Sequence, residues 1–203
     1  MKGIKKLIIF GAGGHGHVLA EIAVDYGFDV SFWDDDENKT DEKILQNFGF
    51  EIPNKTGIII GIGDNLKREQ ISHNYPKSVF KKLVHRRAII SKSTKIGRGT
   101  AIMAGVCINY NSIIGDHCIL NTGAIIDHQC IINDFAHISP NATLCGDVTI
   151  GRGTWIGAGA TILPGLKIGE NVLIGAGSVI TNDIIDGVTV VGNPGKVIKK
   201  LIR

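Results

Sequence analysis

The chain has 203 residues, 43% of them apolar and 20% charged, which supplies a sizeable core and excludes intrinsic disorder. Its 22 basic residues nearly balance 19 acidic ones, and no basic stripe interleaved with aromatics marks a nucleic-acid surface. No apolar run approaches the ~18 residues of a membrane span, so neither nucleic acid nor membrane insertion is expected.

The first 85 or so residues alternate between strand and helix patterns. Lys5–Phe10 is a short apolar run, and the segment Gly11-Ala12-Gly13-Gly14-His15-Gly16 follows it. With only four apolar residues leading into a glycine loop, this start does not read as a secretory signal. Val18, Ile22 and Tyr26 fall at helical spacing within 17–26. Residues 29–33 predict a second strand, closed by Asp34, Asp35 and Asp36. A third strand is predicted at 57–62, followed by Gly63-Asp64-Asn65 and a polar helix around 66–73. A further strand is expected at 80–84. This alternation predicts a small, mostly parallel sheet.

From Ile90 the grammar changes to a period of six. Isoleucine or leucine occupies every sixth position from Ile90 to Ile180 without an insertion, and isoleucine fills all of them except Leu120 and Leu144. Four residues after each anchor stands a small or β-branched residue such as Thr100, Val106, Ala124 or Cys130. Glycine, at 27 of 203 residues, gathers at the corners between them. A period of six fits neither a helix nor a plain alternating strand. It fits a short strand plus a tight corner repeated around a three-sided prism, the hexapeptide β-helix. Three sides make a coil of eighteen residues, and coils stacked at ~4.8 Å give a prism roughly 25 Å tall. Anchors and i+4 positions point inward. The expected fold is therefore α/β plus all-β: a Rossmann-like parallel-sheet domain over 1–87, a β-helix over 88–185, and a tail over 186–203.

Several residues carry candidate chemistry. Gly13 and Gly14 let the backbone approach a phosphate at a helix N-terminus, although the loop lacks the GxGxxG spacing of a dinucleotide fingerprint. Asp34 and Asp35 end a strand where a carboxylate can accept hydrogen bonds from a base or ribose, and Gly63 and Asn65 end the next strand at the same sheet edge. His128 stands at i+2 of its repeat, a corner position, beside Asp127, with Asn121 and His137 nearby. Gly146 follows His128 by eighteen residues and stacks over it by coil arithmetic. Four cysteines (Cys107, Cys118, Cys130, Cys145) lack paired metal spacing, and Cys118 and Cys130 fall at inward positions. A reduced, cytoplasmic, metal-free protein is expected.

Over essentially its whole length the sequence resembles the left-handed β-helix acyltransferases. It is most similar to the PglD type that N-acetylates nucleotide-linked amino sugars, and also to the NeuD-type sialic acid O-acetyltransferases. The resemblance rests on the hexapeptide anchors, the glycine loop, the Asp127-His128 pair in place of the family's (Glu/Asp)-His motif, and Gly192-Asn193-Pro194-Gly195-Lys196 near the family's G-x-P-A-K signature. It implies a left-handed winding and a homotrimer with active sites in crevices between adjacent prisms.

The resemblance also implies that the glycine loop embraces a nucleotide diphosphate, with His15 near the sugar. His128 would be the general base in direct transfer from acetyl-CoA, since neutral imidazole of pKa near ~6.5 accepts a proton at cellular pH. Asp127 would orient it, the Gly146 amide would face the oxyanion, and Asn121 and His137 would position acetyl-CoA and the base. Gly157-Ala158 and Gly175-Ala176, eighteen residues apart, would form a strip for pantetheine. Pro194 and Lys196 would meet the CoA nucleotide, with the basic tail Lys199, Lys200 and Arg203 beside them. UDP is the first expectation for the nucleotide, with dTDP and GDP as alternatives. The rival functions are O-acetylation of a sialic acid-type sugar and a non-catalytic scaffold.

Overall fold

The computed structural model describes residues 5–36, 38, 44, 45, 52 and 55–200. They form two compact units that divide between Leu83 and Val84. Arg203 lies outside the described residues. No described helix is long and apolar enough to cross a membrane.

The first unit is built on strands β1 (Lys5–Phe10), β2 (Phe28–Trp33), β3 (Ile44–Leu45) and β4 (Thr56–Ile60), all parallel, in the order β3-β2-β1-β4. Helix α1 (Gly14–Asp25) follows β1 and packs on β1 and β2, and α2 (Asn65–Ser72) follows β4. Leu7 to Phe10 are buried without alternation, as in a strand covered on both faces. One face forms a cluster of Ile8, Phe10, Trp33, Ile58, Ile60 and Phe80.

Helix α1 departs from the sequence expectation. It starts at Gly14, with Gly13 as its N-cap, and buries Gly16, Leu19, Ile22 and Ala23, while Val18 and Tyr26 are exposed. The small residues face the sheet because the backbones nearly touch: a Cβ on Gly16 would collide with the Gly11 carbonyl oxygen. The strand expected over 80–84 is also split. Phe80 makes one bridge to Ile58, Lys81 and Lys82 are exposed, and Leu83–Val84 opens the next sheet.

The second unit is a parallel β-helix with three walls. The first wall holds Lys95–Ile96, Ile113–Ile114, Ile131–Ile132, Thr149–Ile150 and Lys167–Ile168. The second runs from Ile89–Ile90 to Val179–Ile180, and the third from Leu83–Val84 to Leu173–Ile174. Val188–Val191 extends the third wall, and Lys196–Lys200 closes it antiparallel, so the expected tail belongs to this unit. The strands pair in an eighteen-residue register, Ile114 with Ile132 and Ile132 with Ile150. Only the last coil shortens, to sixteen, where Ile174 meets Val190.

Burial explains the register. Every anchor from Ile102 to Ile180 is at most 2% exposed, and so are the i+4 residues from Thr100 to Ala160. The inward hydroxyls are satisfied between coils: Thr100 Oγ1 donates to the Gly115 carbonyl (2.8 Å) and accepts from the Cys118 amide (3.0 Å), and Ser112 and Thr154 repeat the pattern. Corner amides are capped by aspartates one coil on, Arg98 by Asp116 (2.7 Å) and Asp116 by Asp134 (2.7 Å). Ile138→Ala should therefore cost about 2–5 kcal/mol, read as a lower denaturant midpoint. An unchanged midpoint would mean that the anchors do not carry the prism.

Candidate active site

In the first unit the glycine loop, the ends of β2 and β4 and one face of α2 enclose a cavity of about 590 Å³. Gly13, Gly14, His15, Asp34, Asp35 and Gly63 line it, as do Trp33, Lys67 and Gln70. The loop is held by the Gly11 amide on the Trp33 carbonyl (2.7 Å) and by the Gly61 amide on the Phe10 carbonyl (2.6 Å). Gly11 adopts φ +96°, a backbone conformation that L side chains rarely take. No side chain caps Gly13, so the first turn of α1 presents its amides to the cavity rim.

Asp34 does not serve as an open acceptor. It is buried, accepts the Ala12 amide at 2.6 Å and the Asp36 amide at 3.0 Å, and thereby holds the loop. Asp35 is the exposed carboxylate of the pair. Asn65 is not among the lining residues: its Oδ1 takes a 2.7 Å bond from Arg68, whose buried guanidinium also donates to the Ile62 and Gly63 carbonyls. His15 is lowered to a pKa of about 4, first by burial and then by the Arg68 charge. Its Nε2 and the Trp33 Nε1 are buried without a hydrogen-bond partner among the described residues.

In the second unit the candidate residues fall on two corners and, for His137, on the adjoining strand His137–Ile138. At one corner His128 is 53% exposed, and Asp127 is set by two donors on Oδ1, the His128 amide and Asn109 Nδ2, both at 2.8 Å. Asp127 Oδ2 lies 4.0 Å from His128 Nε2, beyond a hydrogen bond. The bond to the ring comes from a different residue: Gln129 Oε1 lies 3.2 Å from Nδ1, an arrangement that fits a proton on Nδ1 and a lone pair on Nε2. Gly146 lies over the imidazole, where a Cβ would fall 2.6 Å from Nε2. Its carbonyl accepts the Gly165 amide, while its own N–H has no acceptor among the described residues.

The other corner carries a groove of about 510 Å³. Asn121 Nδ2 and His137 Nε2 are 3.2 Å apart at its mouth, and Trp155 stacks on His137 with ring centres 5.0 Å apart. Trp155 Nε1 donates to Ser139 Oγ at 2.8 Å. Gly157, Ala158, Gly175 and Ala176 form the floor, and a Cβ on Gly157 would fall 2.6 Å from the Ala176 nitrogen. The Ala158 and Ala176 amides have no acceptor among the described residues. Pro194 and Lys196 are not among the lining residues, and Lys199 and Lys200 are exposed.

The constellation grouped in the sequence is thus divided. Asp127, His128 and Gly146 share one corner, Asn121 stands on the next with His137 beside it on the third-wall strand His137–Ile138, and the second wall runs between. Asn109, Ser139 and Trp155 are not singled out by the sequence reading, and Gln129, which follows the histidine and carries no charge, contributes an amide oxygen to the ring instead. Asn109 and Trp155 sit eighteen residues from Asp127 and His137, so the same arithmetic that gave Gly146 finds them. Trp33 and Lys67 have no comparable signal.

Two family profiles match the chain: the PglD N-terminal domain over residues 6–75 and the bacterial transferase hexapeptide (six repeats) over 147–182. A curated relative, the UDP-N-acetylbacillosamine N-acetyltransferase of Bacillus subtilis (strain 168), is 37% identical over 115 residues, 50% of this chain. The chain spans about half, 52%, of that relative's length. The acetyltransferase domain of PglB from Neisseria gonorrhoeae FA1090 is 37% identical with a TM-score of 0.91, covering 96% of this chain and 100% of that one. The same domain has also been solved with acetyl coenzyme A. Perosamine N-acetyltransferase from Caulobacter crescentus, a histidine-to-asparagine variant with CoA and GDP-perosamine, is 31% identical with a TM-score of 0.89, covering 98% and 99%.

The depressed His15 sets a stability window. The unfolded chain binds this proton near pH 6.5 and the folded chain only near pH 4, so acid below 6.5 favours unfolding. The wild type should lose stability between pH 6.5 and 4, and His15→Gln should lose less, as read by denaturant unfolding. Equal losses would show that His15 is not held neutral.

Proposed function

This chain belongs to the PglD-type hexapeptide-repeat acetyltransferases, and from that membership we propose that it moves the acetyl group of acetyl-CoA to the amine of a nucleotide-linked amino-deoxy sugar. The observation that carries this reading is His128 at an exposed corner with an open amide, that of Gly146, beside its imidazole.

The sugar amine attacks the thioester carbonyl while His128 Nε2 takes the amine proton. Gln129 on Nδ1 favours the tautomer that leaves Nε2 as the base. The carbonyl oxygen gains negative charge in the tetrahedral intermediate and meets the Gly146 N–H. The carbon–sulfur bond then breaks, the amide forms, and the CoA thiolate leaves and takes up a proton. Direct transfer is supported by the cysteines. Burial pushes Cys130 up to about 11 and raises Cys145, so both stay protonated and poor as nucleophiles.

The nucleotide belongs to the cavity of the first unit, its diphosphate on the α1 amides and Lys67, and its acceptors toward the Trp33 N–H. UDP is our first choice, and the described residues leave dTDP and GDP in competition. Acetyl-CoA belongs to the groove, where the Ala158 and Ala176 amides can pair pantetheine carbonyls. Base and groove occupy different corners, which supports a homotrimer in which a second copy brings its groove to His128. Four cysteines that form no disulfide suit a reducing cytoplasm.

The test is release of CoA from acetyl-CoA against UDP-, dTDP- and GDP-linked amino sugars. One nucleotide class should support turnover, and His128→Ala should lower it by about 10²–10⁴-fold. Silence across the panel, or an unimpaired His128→Ala, would sink the proposal. Gly146→Val should lower turnover by about a hundredfold while keeping the wild-type melting point. Wild-type turnover in that variant would remove Gly146 from the site.

A further inference from the structure

One side chain beneath the base is unused by the chemistry above. Asn109 stands eighteen residues before Asp127, one coil away, and its Nδ2 donates to Asp127 Oδ1 at 2.8 Å. Its own Oδ1 faces the Cys107 thiol at 3.8 Å, so the amide is oriented with its two donors toward the carboxylate. Reversed, it would set an oxygen against an oxygen. The Asn109 side chain makes no bond to the backbone among the described residues. It is not a corner cap of the kind Asp116 and Asp134 provide.

The consequence falls on the other carboxylate oxygen. With Oδ1 occupied by Asn109 and by the His128 amide, Oδ2 is the oxygen turned to the ring, 4.0 Å from His128 Nε2. Aspartate is one methylene shorter than the glutamate common in the family, and at 38% exposure Asp127 has solvent into which it can rotate. We infer that Asn109 is a positioning residue for acetyl transfer: it holds Asp127 with Oδ2 toward the imidazole, ready to pair the imidazolium that forms when His128 takes the amine proton. The inference rests on His128 being the base. Asn109 is also the foremost of the groups that hold the Asp127 carboxyl below its ordinary range, ahead of the His128 amide, which keeps the carboxylate charged.

A double-mutant cycle on the full chain tests this. Asn109→Ala should lower kcat about tenfold, the scale of a lost hydrogen bond to a charged group, with KM for both substrates and the melting point unchanged. In an Asp127→Ala background the same change should cost nothing further, because Asn109 acts through that carboxylate. Asn109→Asp, equal in size but lacking the donor, should be at least as impaired. A wild-type kcat in Asn109→Ala, an equal fold-loss in both backgrounds, or a wild-type rate in Asp127→Ala would each overturn the assignment. His128→Ala, run in parallel, separates the two failures: if it keeps turnover the base reading falls, and if it is dead while the cycle is additive only the role of Asn109 falls.

Discussion

The inward packing of the isoleucine column is the constraint on which everything else in the β-helix rests. An anchor such as Ile126 or Ile156 is fully buried, and a one-residue slip would turn it to solvent and bring its outward neighbour inside. Burying a side chain of that size is worth about 1.5–3 kcal/mol, so each coil is held in register by several such terms. The corners inherit this precision. Once the anchors stack at eighteen residues, whatever stands at a given place in one repeat, before its anchor or after it, must stand over its counterpart on the next coil. Asn109 under Asp127, His128 under Gly146 and His137 under Trp155 are three readings of one ruler.

The chemistry follows from what the corners omit. At Arg98, Asp116 and Glu170 the i+2 amide is capped by an aspartate from the next coil, while Ala104 and Tyr110 have no such cap among the described residues. At Gly146, Ala158 and Ala176 the described residues supply no such cap, and these are the amides beside the histidine and along the groove. Gly146 is buried, and a buried donor left open costs stability that fits a ligand acceptor arriving later, whereas the exposed Ala158 and Ala176 amides need only exchange water for one. The first unit uses the same device, with an uncapped helix start at Gly13. In both units bulk is excluded at the critical point: by Gly11 and Gly16 under the loop, by Gly146 over the imidazole.

The β-helix was legible in the sequence because its signal is a period, and periods survive without knowledge of partners. Gly146 over His128 came from counting alone. The α/β unit was read less well because its signals are local. The phase of α1 was set by Gly16 and Ala23, whose small size matters only where the sheet backbone approaches. Asp34 looked like a ligand acceptor because a sequence cannot show that the Ala12 amide reaches it first. The tie between Asp127 and His128 was overstated for a related reason: adjacency in sequence did not bring Oδ2 within hydrogen-bond distance, and Gln129 at φ +61° turned its amide to the ring instead. Nor could sequence adjacency tell that His128 stands on a corner and His137 on the third wall, with the second wall between His128 and the groove.

That division is the central feature, since the proposed dependence of the reaction on two copies of one chain rests on it. The most direct measurement is a crystal structure of the protein with CoA and the nucleotide amino sugar bound together. The account predicts the sugar amine within about 2.6–3.2 Å of His128 Nε2, with the CoA sulfur delivered from the groove of a neighbouring subunit and Gly146 facing the carbonyl position. An amine held by another base, or CoA and His128 meeting within a single isolated subunit, would contradict it.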